Sequence, residues 1–154
     1  MDTSGSIVER LRTQLTALAP LLEGAQRQDL EKRVNGKWSA AENLAHLGRH
    51  TELSIERVRR ILAENEPTFP AYRADEDPGW PAWQKRSFPE ALEGLVEATE
   101  KLVAMAEGLA PEQWNRRGTH TRFGPMTLRA WLEFYLAHEG HHFYVLMRRA
   151  RGLE

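Results

Sequence analysis

The chain has 154 residues, 41% of them hydrophobic and 28% charged, with a formal net charge of −1 and no cysteine. That length buries one ordinary core without disulfides or a structural metal, and the balanced charge supplies no field to draw a nucleic acid. The absence of cysteine removes disulfides, thiolate metal sites and cysteine nucleophiles together, so any metal site must be built from histidine and carboxylate.

The N-terminal stretch MDTSGSIVERLRTQL has no basic segment leading into an apolar run, and no span approaches the ~18 consecutive apolar residues of a membrane helix. A cytoplasmic protein is therefore expected. A first helix is predicted from about Ser4 to Leu22, with Ile7, Leu11, Leu15, Leu18 and Leu22 spaced by three or four, and Pro20 should kink or end it. Gly24 opens the polar connection GAQRQDLEKRVNGK. Ser39, with Glu42 three residues on, forms the signature of a capping box and starts a second helix over Ala40 to Ala63. Glu52, Glu56, Arg49, Arg59 and Arg60 fall in its outward arc, and the inward half carries Leu44, Leu47, Val58, Ile61 and Leu62 together with Asn43, His46 and His50.

Residues 64–87 hold four prolines among aromatics and charges, which predicts a long crossover connection. Trp80 and Trp83 within it could cap the core or line a pocket. The third helix is predicted from Phe88 or Pro89 to Gly108, with Leu92, Leu95, Val96, Leu102 and Val103 facing in. An irregular stretch, APEQWNRRGTHTRFGPM, leads to a fourth helix with Thr127 as N-cap, ending near Ala150. No segment shows strand alternation. The economical architecture is an all-α four-helix bundle, one domain over 1–154, with the long crossover between helices 2 and 3.

On the fourth helix, residues 138–142 read HEGHH. His138 and His142 lie one turn apart on the face of Leu128, Trp131, Tyr135, Val145 and Leu146, and a divalent cation would satisfy both imidazoles in that apolar setting. The same letters match the H-E-x-x-H of zinc peptidases, but the downstream ligand of the extended pattern would fall on Arg148, and only twelve residues follow His142. Glu139 and His142 also match half of a carboxylate-bridged di-iron site, yet no second E-x-x-H exists elsewhere. A third ligand should come from the second helix, where His46 and His50 both lie on the inward half. His141 falls on the polar side.

The segments GKWSAAENLAHL at 36–47 and RFGPMTLRAWLEFYLAHEGHHFYVL at 122–146 resemble the DinB-like, or YfiT-like, metal-binding four-helix bundles. The resemblance implies His46, His138 and His142 as ligands of a divalent nickel, zinc, iron or manganese ion, with His50 outside the triad. It also implies open coordination positions and a homodimer. The function it suggests is a mononuclear metal-dependent enzyme acting on a small molecule. A thiol S-transferase using bacillithiol or a similar low-molecular-weight thiol cosubstrate is the most specific form, beside a metal-dependent hydrolase or a non-catalytic metal-binding stress-response protein. Candidates to orient the imidazoles are Asn43, Glu42, His50, Tyr135 and Glu139. Candidates to meet a substrate are His120, Arg122 and Trp83, with Arg116 and Arg117 in the same loop as Arg122.

Overall fold

A computed structural model describes residues 4–153. Its elements in chain order are α1 (Ser4–Thr13), α2 (Leu18–Leu21), α3 (Arg27–Glu31), α4 (Ala40–Ala63), β1 (Thr68–Phe69), α5 (Trp80–Gln84), α6 (Phe88–Glu107), β2 (Arg117–His120), β3 (Gly124–Thr127) and α7 (Leu128–Ala150). The bundle is made by α1, α4, α6 and α7, in which α4 and α1 each pack against both α6 and α7.

The α4 start follows from its cap: Ser39 Oγ accepts from Glu42 N at 3.1 Å while the Glu42 carboxylate accepts from Ser39 N at 2.9 Å. In the same way Glu90 accepts from Ser87 N at 2.8 Å at the head of α6, and Thr127 Oγ1 accepts from Ala130 N at 3.2 Å at the head of α7. The expected first helix is interrupted earlier than Pro20, because residues Gln14–Ala17 tighten into a 3-10 turn. Pro20 has no N–H to return to Thr16 and its ring crowds that carbonyl, so the turn before it cannot stay α-helical. On α6 the buried stripe is Ala91, Leu95, Ala98, Thr99, Leu102 and Ala106, and Val96, expected to face in, is 38% exposed.

A small sheet lies in the connections and was not expected from the sequence. β1 runs parallel to β2, pairing Thr68 with Thr119 and Phe69 with His120, and β2 pairs antiparallel with β3. Strands of two to four residues are too short for alternation to register. Gly118 lets β2 lie against the end of α4, since a Cβ there would come within 2.9 Å of Ile61. In the segment joining α4 to α6, the Trp83 indole is seated between Gly48 and Gly94, at each of which a Cβ would overlap the ring.

The core divides in two. One cluster contains Ile7, Leu11, Ile55, Ile61, Leu102 and Tyr135, and the other contains Leu44, Leu47, Trp83, Leu95, Phe143 and Leu146. Each fully buried aliphatic side chain contributes about 1.5–3 kcal/mol relative to exposure, so the clusters at the two ends hold the helices in register. On α7 the apolar residues stop at Leu136 and resume at Phe143; on α4 they stop at Leu47 and resume at Ile55. His138, Glu139 and His142 fall in the first interval and His50, Thr51 and Ser54 in the second, with His46 at its edge. The site is this polar layer. Among the described residues no helix is long and apolar enough to cross a membrane.

Candidate metal centre

Packing of α4 on α7 brings three imidazoles together. The ring centroid of His46 lies 5.2 Å from that of His138 and 4.5 Å from that of His142, and the last two are 4.6 Å apart. Each offers one ring nitrogen to a group whose members all lie within 4.8 Å of one another. His46 Nε2 faces His138 Nε2 at 3.2 Å. Three nitrogens bound to one ion at ~2.1 Å are separated by roughly 3–4 Å, so the set fits a single tetrahedral or more open cation with small side-chain adjustment.

The protonation states suit ligation. Burial lowers His46 to about 3, His138 to about 4 and His142 to about 2, with the neighbouring imidazoles adding to the effect, so all three are neutral donors at ordinary pH. Nδ1 of His46 and Nδ1 of His138 are buried and have no hydrogen-bond partner among the described residues. Two imidazoles that turn one nitrogen to each other and receive no protein hydrogen bond on the second are costly as a purely structural arrangement. A cation would take the lone pairs of the two facing Nε2 atoms, while both Nδ1 atoms would remain without a protein partner among the described residues.

His142 is held differently. The Asn43 side-chain amide donates to Ser39 O at 2.8 Å and to Trp38 O at 3.3 Å, which turns its Oδ1 to His142 Nδ1 at 3.0 Å. Nδ1 therefore carries the proton and Nε2 keeps the lone pair for a metal. The cap of α4 thus orients a ligand on α7.

Glu139 does not join the three histidines. Its carboxylate accepts from Tyr135 Oη at 2.9 Å and from Gln14 Nε2 at 2.7 Å, tying α7 to the segment after α1, and burial raises it to about 7. Tyr135 in turn lies 2.9 Å from Thr51 Oγ1 on α4. The two candidates form a buried chain that fixes helix positions. His50 is buried, with its ring centroid 4.1 Å from that of His138 and its Nδ1 without a partner among the described residues, and it is not one of the grouped donors. Glu42 serves the cap and is bound by Arg33 Nε at 2.8 Å. His141 is exposed.

A pocket of about 400 Å³ opens onto His46, His50 and His138. The β2–β3 hairpin folds over it, so that His120, Arg122 and Phe123 form one wall, while Ala71 and Tyr72 form another. His120 is buried, and its Nδ1 accepts from Arg122 N at 3.0 Å and Phe123 N at 3.3 Å, which places its proton on Nε2. Trp83 is not in this wall: it is in the core, with Nε1 donating to Glu52 at 3.0 Å. Arg116 binds the Ile61 carbonyl at 2.7 Å and that of Glu64, closing the end of α4. Arg117 is exposed on β2. Trp38, Tyr72 and Arg57 also line the pocket and were missed in the sequence. Two of them had a signal: Trp38 stands in the segment GKWSAAENLAHL, and Arg57 lies seven residues after His50 on the same face of α4.

The sequence pattern of the DinB superfamily matches residues 10–146. The chain belongs to the DinB superfamily. No curated protein matches this DinB chain. Among solved structures it is similar to YfiT from Bacillus subtilis, which is described as a probable metal-dependent hydrolase with an unusual four-helix bundle topology. The two share 20% sequence identity at a TM-score of 0.78, over 98% of this chain and 89% of the other. At that identity the likeness concerns the fold, a four-helix bundle in both.

Proposed function

We propose that the protein is a mononuclear divalent-metal enzyme that hydrolyses a small molecule, with His46, His138 and His142 as the metal ligands. The observation that carries this is the group of three neutral imidazoles whose ring nitrogens lie within 4.8 Å of one another, two of which, His46 and His138, line a pocket. The description of YfiT as a probable metal-dependent hydrolase supports the hydrolytic version. A divalent ion held by three neutral donors keeps most of its charge and acts as a Lewis acid that lowers the pKa of water or a thiol.

The chain's own residues supply the rest. Asn43 fixes the tautomer and plane of His142. Burial keeps the imidazoles unprotonated, and Tyr72, Trp38 and Phe123 give the pocket an aromatic lining. Transfer to a low-molecular-weight thiol would use the same ligands and pocket, and the choice between water and thiol as acceptor is one of turnover.

Metal content of untagged protein tests the ligand set. About one equivalent of a transition metal is expected in the wild type and less than about a tenth in His46→Ala. Equal metal in both would remove His46 from the site. Metal-loaded protein is then assayed on ester, amide and lactone panels, and on electrophiles with bacillithiol, mycothiol, glutathione or coenzyme A. Turnover dependent on a thiol, with none in its absence, would replace hydrolysis by S-transfer. The family resemblance also implies a homodimer, for which sedimentation should give twice the 17.7 kDa chain mass.

A further inference from the structure

Arg57 is a buried cation that receives carboxylate support, among the described residues, only through space from the charge of Glu56. Its residue exposure is 9%, and no carboxylate forms an ion pair with it among the described residues. Its guanidinium makes one hydrogen bond, from Nη2 to Pro70 O at 3.3 Å, and lies over the Trp131 ring at 5.4 Å and the Phe69 ring at 5.9 Å. Five N–H donors on a permanently charged plane are thus served by one carbonyl and two aromatic faces. Removal of such a charge from water costs several kcal/mol, which a structural role rarely justifies without a carboxylate.

Arg57 lines the pocket above His46 and His138, and its charge is felt at His50, His138 and His120, whose protonation it opposes. Across that pocket His120 presents Nε2 as a donor, because its Nδ1 is taken by two backbone N–H groups. Arg122 also lines the pocket. No aspartate or glutamate lines the pocket among the described residues. Beside the metal ligands the lining offers the Arg57 and Arg122 cations, the His120 N–H and the Tyr72 hydroxyl, and the remainder is aromatic or alanine.

We propose that Arg57 is the anion anchor of this pocket, and that the substrate is a small organic carboxylate whose anionic end lies against the Arg57 guanidinium while its body meets Phe123 and Phe134. The planar fork of a guanidinium matches a carboxylate in two parallel hydrogen bonds, and the pocket of about 400 Å³ takes a molecule of benzoate size with room to spare. The use of this anchor in turnover rests on the metal-enzyme reading; the anion site itself does not.

Binding of benzoate and of its neutral isostere benzamide is measured by tryptophan fluorescence and calorimetry, on chelator-treated and on metal-loaded protein. In both forms benzoate should bind at least about tenfold more tightly than benzamide, as expected for charge-assisted hydrogen bonds in a site shielded from water. Arg57→Met should abolish that preference and leave benzamide affinity unchanged, and Arg57→Lys should retain part of it. Since the methionine removes an unpaired buried charge, the melting temperature of Arg57→Met should equal or exceed that of the wild type. Unchanged benzoate preference in Arg57→Met would overturn the proposal, as would a preference confined to metal-loaded protein. A fall of many degrees in melting temperature for Arg57→Met, with its benzoate preference intact, would make Arg57 a structural residue. If no metal binds but the chelated protein still selects benzoate through Arg57, the anion site stands and the metal-enzyme reading falls.

Discussion

Asn43 shows how much a single side chain outside the ligand set can decide. Its two N–H bonds to Trp38 and Ser39 carbonyls leave the amide oxygen one direction, and that direction is His142 Nδ1. Replacement by leucine of similar volume should lower metal affinity by about 10–100-fold, measured by competition with a chromophoric chelator, while the helical circular dichroism stays unchanged. An unaltered affinity would show that His142 finds its orientation from packing alone. The spacing of His138 and His142 was plain in HEGHH, because one helical turn separates them. The choice between His46 and His50 was not, since both sit on the inward half of α4, and only the pairing of α4 with α7 sets which one meets the pair. Glu139, which the peptidase-like letters single out, instead reaches Gln14 in a different part of the chain.

At the level of elements, helix ends carry the clearest signals. The start of α4 and the N-cap of α7 follow from Ser39, Glu42 and Thr127, which act within three residues and need no tertiary information. Ser39→Ala removes one half of the α4 box, and equilibrium urea denaturation should register a loss of about 0.5–2 kcal/mol. The segment between α4 and α6 is less readable from composition, because its shape depends on distant partners. Trp83 needs the absence of side chains at Gly48 and Gly94, so Gly48→Ala should destabilise the fold by more than about 2 kcal/mol by displacing the indole. Asp77 in this segment is held by Arg49 through Nε at 2.7 Å and Nη2 at 2.8 Å, and Arg49 pulls its carboxyl below the usual range. Asp77 binds a proton more readily in the unfolded chain. Its contribution to stability is therefore complete above the ordinary aspartate range and disappears as pH falls through the lower folded value. Asp77→Asn should flatten the acid limb of a pH–stability curve; an unchanged limb would assign acid unfolding to other groups.

Across the whole molecule, the two apolar clusters at either end of α4 and α7 allow a polar layer between them to persist without collapsing. Four amphipathic helices made that architecture readable. The roof over the layer was not, because it is assembled from strands of two to four residues drawn from connections about fifty positions apart, where no local pattern exists. The parallel pairing of β1 with β2 is closed by Thr119 N to Pro67 O at 2.8 Å and Thr121 N to Phe69 O at 3.0 Å. These bonds join the wall that contains Tyr72 to the wall that contains His120 and Phe123. Parting of that seam would separate these two parts of the pocket lining, and the seam's two amides would then act as clocks for its opening. In native-state hydrogen exchange Thr119 and Thr121 should exchange at one common rate, faster than the amides of α4 beneath them, and a bound aromatic carboxylate should slow both together.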